Sequence, residues 1–219
     1  MWYNLQAFFL KMNPTPYRYF VLNKPLNMVS QFVSPDPVRL LGDIDFPFPE
    51  GTHAIGRLDG HSEGLLLLTT NKRVTNLLFQ GEVPHKRCYL VHVAHVVSPE
   101  TLALLRTGIG IEIKGGIEYV TSPCEVEIVA RPEGLIPLYV NEKLDIPNTW
   151  LKITLTEGKY HQVRKMVRTA GHRCKRLIRV SIEDIELEDL QPGAIREMNE
   201  IDFFKKLRID NWQSPKPTR

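Results

Sequence analysis

Between His53 and Asn71 the chain reads HAIGRLDGHSEGLLLLTTN. Arg57, Asp59, His61 and Glu63, four side chains able to do acid–base or nucleophilic chemistry, fall within seven residues, spaced by Gly56, Gly60 and Gly64. The segment from Leu65 to Thr70 predicts a short strand buried on both faces. A carboxylate on a glycine-bounded turn beside such a strand has a rigid support, which suits a catalytic group. If Asp59 is partly buried it needs a counter-charge, because an unpaired carboxylate there costs several kcal/mol. Arg57 and the basic face of a helix carrying Arg164 and Arg168 are the candidates. A plain charged turn accounts for the same residues. So would a glycosidase-like pair of Asp59 and Glu63, four residues apart, were the segment helical; the three glycines argue against a helix.

The second concentration of chemistry is basic. From Glu157 to Arg179 the chain carries Lys159, Arg164, Lys165, Arg168, Arg173, Lys175, Arg176 and Arg179 against one acid. That local charge of +7 leaves −4 for the rest of a chain whose total is +3. A cationic stripe on a near-neutral protein is the footprint of a phosphate-rich partner such as nucleic acid. Its plainer counterpart is a solvated helix face. Sugar substrates give no reason for such a stripe.

The elements that must position these groups are legible in outline. The 219 residues, 42% hydrophobic and 24% charged, make one globular domain or one with two lobes. Three distant cysteines, Cys88, Cys124 and Cys174, give neither a disulfide framework nor a zinc site and fit a reducing compartment. The histidines show no metal-binding spacing, and His92 and His95 on a strand would point to opposite faces. No apolar run is long enough to cross a membrane, and the N-terminus is a poor signal peptide, so a cytoplasmic protein is expected.

Strands are predicted at Tyr19 to Leu22, over RCYLVHVAHVV from Arg87, at Cys124 to Ala130, at Leu151 to Glu157 and over LIRVSIEDIELED from Leu177. In the third, Val126 and Ile128 share one face; in the fourth, Leu151, Ile153 and Leu155 point inward. Helices are predicted after Asn71, with Gly81 as a stop, and after Ser98 with Pro99 at the first position. A third has Val163, Met166, Val167 and Ala170 on one face and Arg164, Lys165 and Arg168 on the other. Arg131 to Asn148 reads as a surface connection. The sum is an α+β fold with a mixed, largely antiparallel central sheet of about eight strands, flanked by helices and loops.

GRLDGHSEGLLLLTTN resembles the catalytic motif of the pseudouridine synthases, in the branch that modifies bacterial ribosomal RNA. FVLNKPLNMVSQF is similar to that family's opening strand and N-K-P turn, RCYLVHV to its K-x-Y strand, and EGKYHQVRKM to its E-G-x-x-x-Q-V-R/K-x-M motif. RLIRVSIEDIELEDLQPGAIREM looks like its closing strands, so the resemblance covers roughly residues 19 to 198. It implies that Asp59 is the catalytic aspartate, attacking the target uridine at the ribose C1′ or the uracil ring. It implies that Tyr89 stacks on the base and takes the C5 proton, that Arg164 pairs with Asp59 and holds it ionised, and that Arg57 holds the place of the flipped nucleotide. His61 falls on a variable position of the motif.

Nothing is consumed in such an isomerisation, so no cofactor or metal is implied. Ribosomal RNA, from the large ribosomal particle rather than the small, would be the partner. Lys159, Lys165, Arg168, Arg173, Lys175 and Arg176 would join Arg57 in binding it. The family's K-x-Y lysine is Arg87 here, with charge retained. No S4 domain is expected before the catalytic strands. That pattern is similar to the pseudouridine synthase E group, which acts on large-subunit RNA and whose I-P-x-S/T-W-L-K-I-T-L segment resembles IPNTWLKITL here. The expected organisation is an N-terminal extension over 1–16, a catalytic domain over 17–204 and a tail over 205–219, in a monomer. A non-catalytic RNA-binding or assembly factor on the same scaffold is the rival reading.

Overall fold

The computed structural model describes residues 16–79, 83–134, 147–210 and 212–213. The N-terminal extension, the expected helix stop at Gly81, most of the Arg131 to Asn148 connection and the end of the tail lie outside the described residues.

Nine strands form one mixed sheet. Its main path runs β11 (Ile195–Met198), β1 (Tyr19–Lys24), β3 (Glu63–Thr69), β9 (Cys174–Ile182), β4 (Arg87–Ala94), β8 (Asn148–Leu155), β7 (Glu125–Val129). Short strands β2 (His53–Ala54) and β10 (Ile185–Glu186) pair with β3 and β9, and β5 (Gly110–Glu112) with β6 (Glu118–Val120) makes a separate ribbon. Every pairing between these strands is antiparallel except β3 with β9, which meet at only two registered positions, Glu63 with Ile178 and Gly64 with Arg179. The sheet is therefore two antiparallel halves joined at a narrow parallel seam. The elements additional to the expected eight strands are two to four residues long, too short to leave a periodicity in sequence.

The seam's left wall is the leucine strand. All of Leu65 to Leu68 are fully buried. Leu65 and Leu67 pack with Tyr19, Val21, Phe203 and Phe204 on one face, and Leu66 and Leu68 with Phe20, Leu22 and Met28 on the other. Helix α1 (Val74–Phe79) follows, its entry held by the Asn71 side chain, which accepts from the Arg73 amide at 3.1 Å. Helix α2 (Pro99–Thr107) is capped by Ser98, whose Oγ accepts from the Thr101 amide at 3.2 Å. Helix α3 (Gln162–Thr169) buries Val163, Met166 and Val167 against the right half of the sheet, as its apolar spacing requires. Helix α4 (Glu200–Lys206) is capped by Asn199 and sets Phe203 and Phe204 on the ring of Tyr19. Leu151, Ile153 and Leu155 face inward, but Ile128 is 52% exposed. On the terminal strand β7 only Val126 reaches the core, so alternation overstated the buried set.

Lys24, of the N-K-P turn, is fully buried, and its Nζ donates to the carbonyls of Met28 at 2.6 Å and Pro25 at 2.9 Å. Burial lowers its pKa to about 8 from the usual 10.5. The unfolded chain holds that proton up to about pH 10.5, so stability rises with pH between these values and is lost as pH falls through 8. Urea unfolding should show a gain on the order of 2 kcal/mol between pH 7.5 and 9.5 from this group. Lys24→Met should flatten that rise; an unchanged slope would remove Lys24 as its source.

Candidate active site

A cleft of about 1020 Å³ opens where the two halves of the sheet meet. Asp59 and Arg57 line it from the turn before β3, Tyr89 and Arg87 from β4, Arg179 from β9, and Lys159 to Val163 from the entry to α3.

The turn that carries Asp59 is held mainly through its backbone. The Ser62 amide donates to the Asp59 carbonyl at 2.9 Å, and the Asn27 amide to the Gly60 carbonyl at 2.8 Å. Buried Ser30 clamps Leu58, donating to its carbonyl at 2.8 Å and accepting from its amide at 3.0 Å. The segment after the N-K-P turn thus serves as the floor of the site. The Asp59 side chain is 33% exposed, with Oδ1 3.4 Å from Nε2 of His161.

Arg164 does not make the direct pair with Asp59 that the family resemblance implies. Its Nη2 donates to the His61 carbonyl at 2.5 Å and approaches Ser62 Oγ at 3.4 Å, while Nη1 lies 3.6 Å from Cys174 Sγ. Because α3 begins at Gln162, His161 comes before its first turn and reaches the carboxylate, whereas Arg164 meets the backbone just beyond it. Arg164 therefore braces the turn from behind. Tyr89 is half-buried between the two core clusters that flank the seam, with Arg179 opposite it in register.

Arg179 is 4% exposed; its Nε donates to the Leu65 carbonyl at 2.7 Å, and its buried Nη2 has no hydrogen-bond partner among the described residues. An unsatisfied guanidinium nitrogen in a cleft wall is a ready donor for a ligand oxygen. The E-G-x-x-x-Q segment closes on itself. Glu157 accepts from the Tyr119 hydroxyl, from the Ser122 amide at 3.0 Å and from Gln162 Nε2 at 2.6 Å. Although partial burial opposes it, those hydrogen bonds hold the Glu157 carboxyl below the usual carboxylate range.

The expected RNA-binding residues separate into groups. Arg57 and Lys159 are exposed and line the cleft, and Arg168 and Arg173 are exposed outside it. Lys175 is partly exposed. Lys165 donates to the Glu112 carbonyl at 2.6 Å and so staples α3 to β5. Arg176 is a correction. It is 6% exposed and forms a bidentate pair with Glu63 at 2.7 and 2.8 Å, in a second groove that does not contain Asp59. The alternation along β9 puts Leu177 and Arg179 in the cleft and Arg176 in the groove. The same pair disposes of an Asp59–Glu63 catalytic dyad. Arg176→Met should strip Glu63 of its bidentate hydrogen-bonded partner, leaving it the nearby Lys24 charge, cost about 3–5 kcal/mol and lower the Tm by roughly 6–20 °C. The salt dependence of RNA binding should keep its slope; a shallower slope would return Arg176 to the interface.

The family model for RNA pseudouridylate synthase matches residues 18–169. The chain belongs to that family. Among curated synthases it is 37% identical to ribosomal large subunit pseudouridine synthase E of Vibrio parahaemolyticus, over 83% of this chain and 74% of the relative. It is 30% identical to ribosomal small subunit pseudouridine synthase A of Yersinia pestis, over 83% and 69%. A solved structure, a pseudouridylate synthase, superposes with a TM-score of 0.69 at 29% identity, covering 87% of this chain and 74% of that one.

Within this synthase fold, Asp59, Tyr89 and Arg57 of the sequence-derived set meet in one cleft, and Arg164 stands behind it. Sequence reasoning missed Ser30, His161 and Arg179. Arg179 was hidden inside a count of charges. His161 has a signal in its place directly before the motif glutamine, Gln162.

Proposed function

We propose that this chain isomerises a uridine of ribosomal RNA to pseudouridine, with large-subunit RNA as its substrate and Asp59 as its nucleophile. The observation that carries the reading is Asp59 itself: a partly exposed carboxylate on a backbone-clamped turn, in a cleft shared with Tyr89 and lined by Arg57, Arg87, Lys159 and Arg179. Relatives named for the large subunit, at up to 37% identity, support the choice of RNA.

Ring chemistry cannot occur on a stacked base, so the uridine leaves the stack at a cost of a few kcal/mol. Arg57 and the exposed bases Lys159, Arg168 and Arg173 offset that cost through phosphate contacts. Attack by Asp59 at C1′ forms a C–O bond as the C1′–N1 bond breaks, and uracil departs with the electron pair. The ring turns, C5 bonds to C1′ as the aspartate leaves, Tyr89 takes the C5 proton as it yields its own hydroxyl proton to solvent, and solvent reprotonates N1. Attack on the ring is the alternative entry to the same exchange. The atoms balance without a cofactor. The chain works as a cytoplasmic monomer in this reading.

The test uses ribosomal RNA tritiated at uridine C5, because forming the new bond must expel that hydrogen. Large- and small-subunit RNA are supplied in separate arms, each also as assembling particles. Tritium release from the large-subunit arm is the expected result. RNA binding without release from any arm would favour the assembly-factor reading.

A further inference from the structure

We infer that His161 is the positioning residue for the nucleophile: its imidazole Nε2–H holds one oxygen of Asp59 and leaves the other turned toward the uridine. The inference rests on the proposed function and deepens it. Three observations meet at this residue. The first is the contact itself, 3.4 Å from Nε2 to Oδ1, with 37% of the imidazole side chain exposed. That is an ion-pair distance without hydrogen-bond alignment, and catalytic contacts of this kind commonly align and tighten only when substrate is bound.

The second is the backbone. His161 sits at φ 54° and ψ 29°, the left-handed region that a side chain with a Cβ adopts at a cost. It occupies the N-cap of α3, where Ser, Thr, Asp or Asn would satisfy a free amide, yet its side chain makes no capping bond. The position thus forgoes both backbone ease and helix capping, and its imidazole is directed to Asp59 instead.

The third is the stack. The ring of Tyr160 lies 3.8 Å from that of His161 at an interplanar angle of 20°, and Lys165 Nζ is 5.3 Å from the Tyr160 centroid. Sandwiched against a second ring, the imidazole has its plane set, which fixes the direction of Nε2–H. Arg164 grips the backbone of the same turn through the His61 carbonyl. The entry to α3 therefore holds the turn twice, by its carbonyl and by its carboxylate. In mechanism this is orientation: the carboxylate keeps a single rotamer through attack and release, and misplacement by about 1 Å can cost on the order of 100-fold.

The experiment measures tritium release by the full chain carrying His161→Phe, His161→Gln or His161→Gly, with kcat and KM resolved and thermal unfolding recorded. His161→Phe keeps a ring to stack on Tyr160 but has no donor, and should lose on the order of 10- to 100-fold in kcat with KM within about threefold. His161→Gln restores an N–H donor and should recover most of that loss. His161→Gly should lose kcat as His161→Phe does without lowering the unfolding temperature, since glycine is relaxed at this φ. Wild-type turnover in His161→Phe, a glutamine as poor as the phenylalanine, or a loss confined to KM would each overturn the assignment. Absence of release by the unsubstituted protein would instead overturn the function beneath it.

Discussion

Asp59→Asn should abolish tritium release, by about 10⁴-fold or more, and leave the fold and RNA affinity nearly intact. The amide matches the carboxylate in shape and keeps an oxygen for the contact with His161, but it is no nucleophile at neutral pH. The turn does not depend on the carboxylate for its form. The Ser62 amide, the Asn27 amide, the Ser30 hydroxyl and the Arg164 guanidinium all hold backbone atoms of residues 58 to 61. The exposed cations around the cleft are also untouched, so the electrostatic part of RNA binding persists. Stability is expected within about 0.5 kcal/mol of the parent. Paired measurements of release, filter binding and unfolding separate the terms. Release within tenfold of wild type would take the nucleophile's role from Asp59.

Gly64→Ala should be among the most damaging single-methyl additions on the described chain. At φ +99° an added Cβ would lie 2.3 Å from the carbonyl oxygen and 2.9 Å from the amide nitrogen of Arg179. Both are backbone atoms of β9, so no side-chain rotation relieves the overlap. The seam has only two registered positions, and Gly64 is one of them. Pushing β9 away would also loosen the Arg179 bond to Leu65 and the Glu63–Arg176 pair. The cost should exceed about 4 kcal/mol, seen as a Tm lower by roughly 10 °C or more or as loss of soluble protein. Gly171→Ala is the control. Its φ is also positive, at +86°, but nothing lies within 4 Å of the added atom, so only the conformational cost of about 1 kcal/mol applies. Equal effects at the two positions would refute the seam argument.

What the sequence made legible follows from where its signals are local. The leucine run announced a strand buried on both faces because four consecutive apolar residues need cover above and below. Ser98, Pro99 and the spacing of Val163, Met166 and Val167 specified helices through capping and period, which neighbours act on directly. Asp59 and Tyr89, which the structure brings into one cleft, stand out in sequence because each lies in a contiguous motif. The failures are non-local. Nothing between residues 157 and 179 says which bases share a sheet face, so a charge count placed buried Arg176 beside exposed Arg168. The partner of Asp59 depends on where α3 starts relative to a turn about a hundred residues earlier, and it is His161, three residues before Arg164, that comes to face the carboxylate. Strands of two or three residues, such as β2 and β10, exist only because a longer strand offers them an edge.

The parallel seam also has a consequence in time. Glu63 meets Ile178, and β1 on its other side meets β11, so both strands that complete this half of the sheet come from the end of the chain. At a synthesis rate of roughly 5–20 residues per second, the turn carrying Asp59 waits about 6–23 s for β9 to be made. For most of that interval the chain has Asp59 but not His161 or Arg164, and throughout it Tyr89 lacks its register partner Arg179. Assembly of the cleft is therefore a late event in the birth of the molecule, reached only when β1 and β3 have met β11 and β9.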